Sequence, residues 1–247
     1  MIEFRSLSKS FDSVTALDQF SLTVQSREVH ILVGSSGSGK STLLKVLMGL
    51  IPATKGEILL DGEPLQTGYL RKFYDKIGYV PQDGGLFPHM TAEANVTLVG
   101  RLRGAEAKKI ESRLDELCRL VGLDRDLLRH YPRQLSGGQK QRVAIMRAAF
   151  LDPLILVFDE PLGALDPIIR ADLQTELRRI FKQMNKTVLL VTHDIGEAAF
   201  FGDRVTLLHE GRIVQTGTMK ELIENPRDLF VKQFIHSQRT LSDWGPN

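Results

Sequence analysis

The sequence predicts an α/β fold in which a mainly parallel sheet is flanked by helices, with an N-terminal antiparallel β layer and an inserted α-helical lobe. Three observations carry this. Short apolar runs rich in β-branched residues alternate with longer helical stretches, the pattern left by crossover-connected parallel strands. Two alternating, half-exposed runs precede the first buried strand. Residues 88–150 then change texture, with apolar positions at helical spacing.

Residues 2–7 and 17–24 read as the alternating strands, and residues 56–60, before the Asp61-Gly62 turn, as a third member of that layer. Residues 29–33 (VHILV) form a buried strand that runs through a Gly/Ser loop into a helix at 41–50, with Leu43, Leu44, Leu47 and Leu50 on its inner side. Further strands are expected at 77–80, 154–158 and 187–192. In the lobe, Ile110, Leu114, Leu117 and Val121 mark one face of a helix over 106–121 that Gly122 stops. Another helix begins near Leu135 and runs through Val143, Met146 and Phe150. The expected organisation is one domain over 1–240, with a core of 1–87 and 151–240, a lobe of 88–150 and a loose tail at 241–247.

With 247 residues, 42% hydrophobic and 25% charged, the chain has material for a substantial core, which excludes disorder, collagen and coiled coil. A formal charge of +2 argues against a nucleic-acid partner. The apolar runs at 154–158 and 188–191 are far shorter than the roughly 18 residues of a bilayer span. The first residues have no basic n-region followed by an apolar h-region, so export is not expected. A single cysteine, Cys118, excludes an internal disulfide and a cysteine-rich metal site and fits a reducing compartment. It reads as inert packing.

The chemistry concentrates at strand ends. Gly34-Ser35-Ser36-Gly37-Ser38-Gly39-Lys40-Ser41 fits G-x-x-x-x-G-K-[ST] between a strand and a helix, the context a phosphate-binding P-loop requires. Its N–H groups curl around phosphate oxygens while the helix, continuing at Thr42, points its positive end at them. Lys40 reaches the β and γ phosphates, and the Ser41 hydroxyl is a Mg²⁺ ligand. The run 154–158 ends in Asp159-Glu160-Pro161. Asp159 is assigned to the Mg²⁺ shell, through water, and Glu160 to the attacking water as orienting group or base. Pro161 is expected to hold Glu160 in extended backbone.

His193 follows the run 188–191 and is placed to donate to the γ-phosphate or hold the water. Gln82 follows Pro81, and its amide can ligate Mg²⁺ or the water. Each of Gly34, Gln82, Asp159 and His193 comes just after a candidate strand, where open α/β sheets bind ligands, so one crevice could gather all four. Ser136-Gly137-Gly138-Gln139 opens a helix with Ser136 as N-cap, which reads either as a second anion site or as a plain capped helix. If one chain cannot close both sites on one nucleotide, two chains can, head to tail, around two nucleotides.

In this order, the P-loop, Gln82, Leu135 to Gln139, residues 154–160, Ala164-Leu165-Asp166 and His193 resemble the ATP-binding subunit of ABC transporters over about residues 1–235. That resemblance implies a P-loop NTPase fold, ATP and Mg²⁺ as cofactors, and a homodimer. It also implies catalysis by Glu160, His193, Gln82 and Lys40. Ser136, Gly137 and Gly138 would contact the γ-phosphate bound to the partner subunit, and Asp166 would lie at the dimer seam. Phe11 stands where the family carries an aromatic that stacks on adenine; the other reading is a core aromatic.

Gly85-Leu-Phe-Pro-His-Met-Thr91, residues 163–170 and residues 224–234 are similar to importers of quaternary amines such as glycine betaine, choline or proline betaine. Importers of other small solutes share parts of these. The resemblance implies transmembrane permease subunits, an external solute-binding protein, and a peripheral place on the cytoplasmic face of the inner membrane. Many betaine-importer ATPases continue into a regulatory domain, and osmotic control is expected elsewhere than in this chain. Leu86, Phe87, Pro88 and Met90 are expected to form an apolar groove for a short permease helix. Two rivals are a soluble ABC clamp acting on DNA or ribosomes and a small-molecule kinase. The first is disfavoured by the short stretch between Gln82 and Ser136, and the second leaves Leu135 to Gln139 without a purpose.

Overall fold

The computed structural model describes residues 1–65, 74–163 and 167–239. Asp166, the rest of the Ala164-Leu165-Asp166 motif and the tail at 241–247 lie outside the described residues. The chain forms two compact units, one of residues 1–71 with 187–247 and one of residues 72–186.

The first unit opens with the expected antiparallel layer. Strands β1 (Ile2–Phe11), β2 (Val14–Val24), β4 (Lys55–Leu60) and β5 (Glu63–Pro64) lie in the order β2-β1-β4-β5. Alternation along β1 and β2 turns Ile2, Phe4, Phe20 and Val24 inward, and Phe4 meets Phe20 edge-on at 5.3 Å. Strand β3 (Val29–Gly34) is parallel to both β8 (Thr187–Thr192) and β9 (Arg204–His209), while β10 (Arg212–Gly217) is antiparallel to β9. Having a parallel neighbour on each side explains why β3 reads as an unbroken apolar run: Ile31, Leu32 and Val33 are fully buried.

Helix α1 spans Lys40–Leu47, not 41–50. Met48 and Gly49 close its last turn by donating back to Leu44 and Val46, so Leu50 falls past the helix end and is 66% exposed instead of packed.

Beneath the layer of apolar side chains, β3 carries a polar line. Glu28 Oε1 accepts from His30 Nδ1 at 2.6 Å, His30 Nε2 lies 2.8 Å from Thr206 Oγ1, and Thr206 Oγ1 lies 2.8 Å from Thr216 Oγ1. Burial alone would push the Glu28 carboxyl up. The His30 hydrogen bond and charge, the Gln25 N–H and the charge of Arg204 outweigh it and hold the carboxyl below its ordinary value. A depressed folded-state pKa gives stability that is present above the unfolded value and is lost as pH falls through the folded one. The wild type is therefore expected to lose more stability than Glu28→Gln between pH 6 and pH 3, as read by urea midpoints at each pH.

In the second unit β6 (Ile77–Val80) and β7 (Ile155–Asp159) pair in parallel, Ile77 opposite Ile155 and Val80 opposite Phe158. The β7 strand begins one residue later than expected, and Leu154 is 48% exposed. Around them lie α2 (Ala92–Leu102), α3 (Ala107–Val121), α4 (Gly137–Ala149) and α5 (Pro167–Met184). Ile110, Leu114, Leu117 and Val121 of α3 are buried as the spacing requires, and the helix ends at Gly122. Cys118 packs on the same face, where burial pushes its thiol up and keeps it protonated. The α4 backbone rests directly on β6, since a Cβ on Gly78 would stand 2.2 Å from the Ala148 carbonyl oxygen.

Candidate functional site

In the first unit, β3 ends in the Gly/Ser loop and α1 leaves it. The Lys40 ammonium lies inside the loop and donates to the carbonyls of Gly34 (2.6 Å) and Ser35 (2.9 Å) and to Ser38 Oγ (3.3 Å). A cation that is only 6% exposed thus has these oxygens among its partners. No side chain caps the start of α1, and the residue before it, Gly39, sits at φ 106°. Ser35, Ser36, Gly37 and Ser41 are exposed, whereas Ser38 and Gly39 are buried. The loop is braced from behind: Gly211, in the turn between β9 and β10, donates to the Ser38 carbonyl at 3.0 Å.

Val33 of β3 pairs with Thr192 of β8, so Gly34 and His193 leave adjacent parallel strands at the same end. His193 is exposed. Its turn is set by a residue the sequence reading passed over, Glu197 of α6 (Ile195–Phe201), whose buried carboxylate accepts from Thr192 Oγ1 at 2.6 Å. Asp194 caps α6 through the N–H groups of Gly196 and Glu197. Phe11 is not a core aromatic. It is 46% exposed at the end of β1, with the Lys9 ammonium 4.8 Å from its ring centre.

In the second unit, the parallel pairing of Val80 with Phe158 brings Gln82, Asp159 and Glu160 to one end of β6 and β7. A Cβ on Gly163 would lie 3.6 Å from Glu160 Oε2 and 3.8 Å from Gln82 Nε2, so the carboxylate and the amide flank the same glycine. Asp159 and Glu160 are half-buried. The extended backbone expected for Glu160 is corrected: its φ is 44°, in the left-handed region. Pro161 disfavours the right-handed helical region for the residue before it, and the chain turns at once, the Gly163 N–H donating to the Glu160 carbonyl at 3.1 Å. The left-handed conformation meets both demands at a cost of about 1 to 2 kcal/mol.

Tyr79, also passed over, donates its hydroxyl to Asp159 Oδ2 at 3.2 Å. Burial, followed by the charge and hydrogen bond of Asp159, pushes this phenol up to about 12, so it remains a neutral donor. Alternation along β6 and β7 was the available signal, since Tyr79 is opposite Val157 and Asp159 lies two residues further on the same face.

Ser136 caps α4 as expected, accepting from the Gln139 N–H at 3.3 Å while Gln139 Oε1 accepts from the Ser136 N–H at 2.9 Å. Ser136 and Gly137 are exposed, and a Cβ on Gly138 would meet nothing within 4 Å. The helix start is therefore open to a ligand rather than packed. Farther along α4, Arg147 donates to the carbonyls of Gly85 (2.6 Å) and Gly84 (2.7 Å), fixing the loop after Gln82.

That loop is shaped by Asn95, fully buried in α2, which accepts from the Phe87 N–H and donates to the carbonyls of Phe87, Met90 and Thr91. Of the residues expected to form the groove, Phe87 and Pro88 are exposed and Leu86 and Met90 half-buried. A cavity of about 350 Å³ is present, but of Leu86, Phe87, Pro88 and Met90 only Phe87 lines it. Tyr74, Ile77, Leu98, Val99 and Leu151 supply most of the apolar wall.

Mg²⁺ takes oxygen donors and keeps several waters. The Ser41 hydroxyl, the Gln82 amide and the Asp159 carboxylate are such donors. Among the described residues no group of three His, Cys, Asp or Glu side chains is placed to hold a metal ion.

A family model described as ABC transporter matches residues 17–163. The chain belongs to the ABC transporter family. It is 41% identical over 235 residues to the glycine betaine uptake system ATP-binding protein YehX of Escherichia coli (strain K12), covering 95% of this chain and 76% of that protein. It is 39% identical over 242 residues to the glycine betaine/carnitine/choline transport ATP-binding protein OpuCA of Bacillus subtilis (strain 168), covering 98% of this chain and 64% of that one. The choline transport ATP-binding protein OpuBA of the same strain is 38% identical over 248 residues, covering 100% and 65%. The chain thus spans just under two thirds of the length of the two Bacillus relatives.

Among solved ABC structures, a dimeric ATP-binding cassette in a post-hydrolysis state bound to ADP and Pi matches with a TM-score of 0.77 and 34% identity, over 89% of this chain and 99% of that one. CbiO1 from Clostridium perfringens, part of the ABC transporter complex CbiONQ, matches with a TM-score of 0.83 and 27% identity, over 97% and 94%. The mixed α/β architecture with its N-terminal antiparallel layer is that of an ABC cassette.

Proposed function

We propose that this ABC ATPase is the engine of an importer. It binds Mg·ATP, pairs head to tail with a second copy around two nucleotides, and hydrolyses them to drive a permease that takes up a small solute. The observation that carries the reading is the presence of two separate open helix starts suited to anions. One is the uncapped start of α1, with Lys40 inside its loop, and the other is the Ser136-capped start of α4. A protein with two such sites on different units has use for a second copy of itself.

In this reading the N–H groups from Gly34 to Thr42 and the Lys40 ammonium hold the phosphates, and Phe11 stacks on the adenine. Ser136, Gly137, Gly138 and Gln139 meet the γ-phosphate held by the partner subunit, with Asp166 at the seam. Ser41, Gln82 and Asp159 hold Mg²⁺, which supplies charge neutralisation on the phosphates when bound. Glu160 takes a proton from the attacking water, and His193 and Gln82 orient that water and the γ-phosphate.

Among the described residues no helix is long and apolar enough to cross a membrane. The chain is accordingly proposed to sit peripherally on the cytoplasmic face of the inner membrane, with the cavity beside Phe87 receiving a permease helix and an external binding protein delivering the solute. The relatives make a quaternary amine such as glycine betaine or choline the first solute to test. Radiolabelled uptake of both should be lost in cells without this subunit and restored by the wild type but not by Lys40→Ala. Unchanged uptake would overturn the solute assignment, and recovery of the protein with DNA or ribosomes and no membrane component would favour the soluble clamp.

A further inference from the structure

We propose that Gln141 is a positioning residue for Gln82: its buried amide is a second holding point for the loop that carries Gln82, and it gives that loop two discrete arrangements. This rests on the reading of Gln82 as a group that meets Mg²⁺ or the attacking water.

Gln141, in the second turn of α4, is only 5% exposed, and its Nε2 has no hydrogen-bond partner among the described residues. A side-chain amide carries two N–H donors there. Leaving them unmet away from water destabilises the fold, whereas an apolar side chain of the same size would not. A buried group of this kind is accounted for when another arrangement of the molecule supplies its acceptor. The acceptor within reach lies in the loop after β6. Gln141 Oε1 is 4.0 Å from where a Cβ on Gly84 would stand, so the end of the amide faces Gly84.

Gly84 also governs where Gln82 points. Its N–H donates to the Pro81 carbonyl at 2.8 Å and closes the turn on which Gln82 is carried. Its carbonyl, with that of Gly85, is taken by Arg147. Two donors of α4 thus face this loop, Arg147 engaged and the Gln141 amide not. The loop can make the exchange, because Gly84 and Gly85 have φ of 69° and 59°, and without a Cβ the peptide between them can turn over. The ends cannot follow: Val80 is paired with Phe158, and Asn95 pins Phe87, Met90 and Thr91. Passing the Gly84 carbonyl from Arg147 to Gln141 therefore shifts residues 81–86 alone, and the Gln82 amide with them. A Mg²⁺ ion that meets Gln82 in one arrangement favours that arrangement.

The test uses the full chain and compares wild type, Gln141→Met and Gln82→Ala. Methionine keeps the length of the side chain and removes both donors. Gln141→Met should unfold at a urea concentration about 0.5 M above wild type, because an unmet polar group is gone. It should bind ATP in EDTA within twofold of wild type and release phosphate at about one fifth of the wild-type rate or less. Hydrogen exchange over residues 81–86 should respond to Mg·ATP in the wild type and not in Gln141→Met. An amide with a merely structural role would give the opposite sign, so a lowered urea midpoint overturns the proposal. A raised midpoint with exchange still responding as in the wild type overturns it too. Gln82→Ala separates the two layers of inference: normal turnover in that variant removes the reading of Gln82, while the exchange response continues to decide whether Gln141 holds the loop.

Discussion

Replacing Glu160 by glutamine is expected to leave ATP bound and nearly stop its turnover. Glutamine matches glutamate in size and keeps one oxygen acceptor for water, but it carries no charge and cannot take a proton. The backbone around the site should survive, because the turn is closed by the Glu160 carbonyl and the Gly163 N–H, neither of which changes. A positioned general base is worth about 10² to 10⁴-fold, so steady-state phosphate release should fall by at least about 10²-fold with nucleotide affinity unchanged. Paired copies should also accumulate with ATP in size-exclusion chromatography, since the step that separates them is blocked. Near-normal phosphate release would move the proton-accepting role away from Glu160, with His193 the next residue to test.

The second large effect is expected at Gly39→Ala. Gly39 has φ 106°, and a Cβ there would stand 2.5 Å from the Ala16 carbonyl oxygen and 3.0 Å from Leu17 Cδ2. The backbone oxygen cannot swing aside as a flexible side chain would. The conformational penalty and the collision together should cost about 2 to 4 kcal/mol, a large fraction of the stability of an ordinary domain. Relief would come by opening the loop, turning its N–H groups away from a bound phosphate. With one or two hydrogen bonds to a charged group lost, nucleotide affinity should fall about 100-fold. Gly37→Ala is the internal comparison. Gly37 also has a positive φ, 78°, but a Cβ there meets nothing within 4 Å, so only the conformational penalty of about 1 to 2 kcal/mol remains. Urea midpoints and binding of a fluorescent ATP analogue should rank the two variants in that order. Equal effects would mean that contact with β2 does not shape the loop.

What could be read from residues alone was whatever local chemistry decides. The strands at Val29–Gly34, Ile77–Val80 and Thr187–Thr192 were legible within a residue because strands buried in a parallel sheet show as apolar runs bounded by turn residues. Ser136 and Gln139 were legible because a helix start satisfies its own N–H groups with the nearest side chains. The hairpin of β9 and β10 was not singled out, although it braces the loop that holds Lys40. Strand β10 is only half-buried and so shows no apolar run, and the importance of Gly211 lies in a contact with Ser38, far away in sequence. The roles of Tyr79, Asn95 and Arg147 are of the same kind: each side chain is unremarkable in its own segment and gains a role from the strand or loop that tertiary packing places against it. Glu160 shows a different limit. The proline rule excludes one backbone region, but the choice between the two that remain was made by the reversal of the chain at Gly163.

The Gly211 to Ser38 hydrogen bond also has a consequence for how the protein is made. Both neighbours of β3, and the turn that supports its loop, are encoded after residue 186. At about 5 to 20 residues per second, the ribosome needs roughly 10 to 30 s to travel from Lys40 to that turn. Until then the nascent chain carries every atom of its phosphate cradle without the scaffold that gives the cradle its shape. Competence for nucleotide should therefore arrive late in translation and all at once.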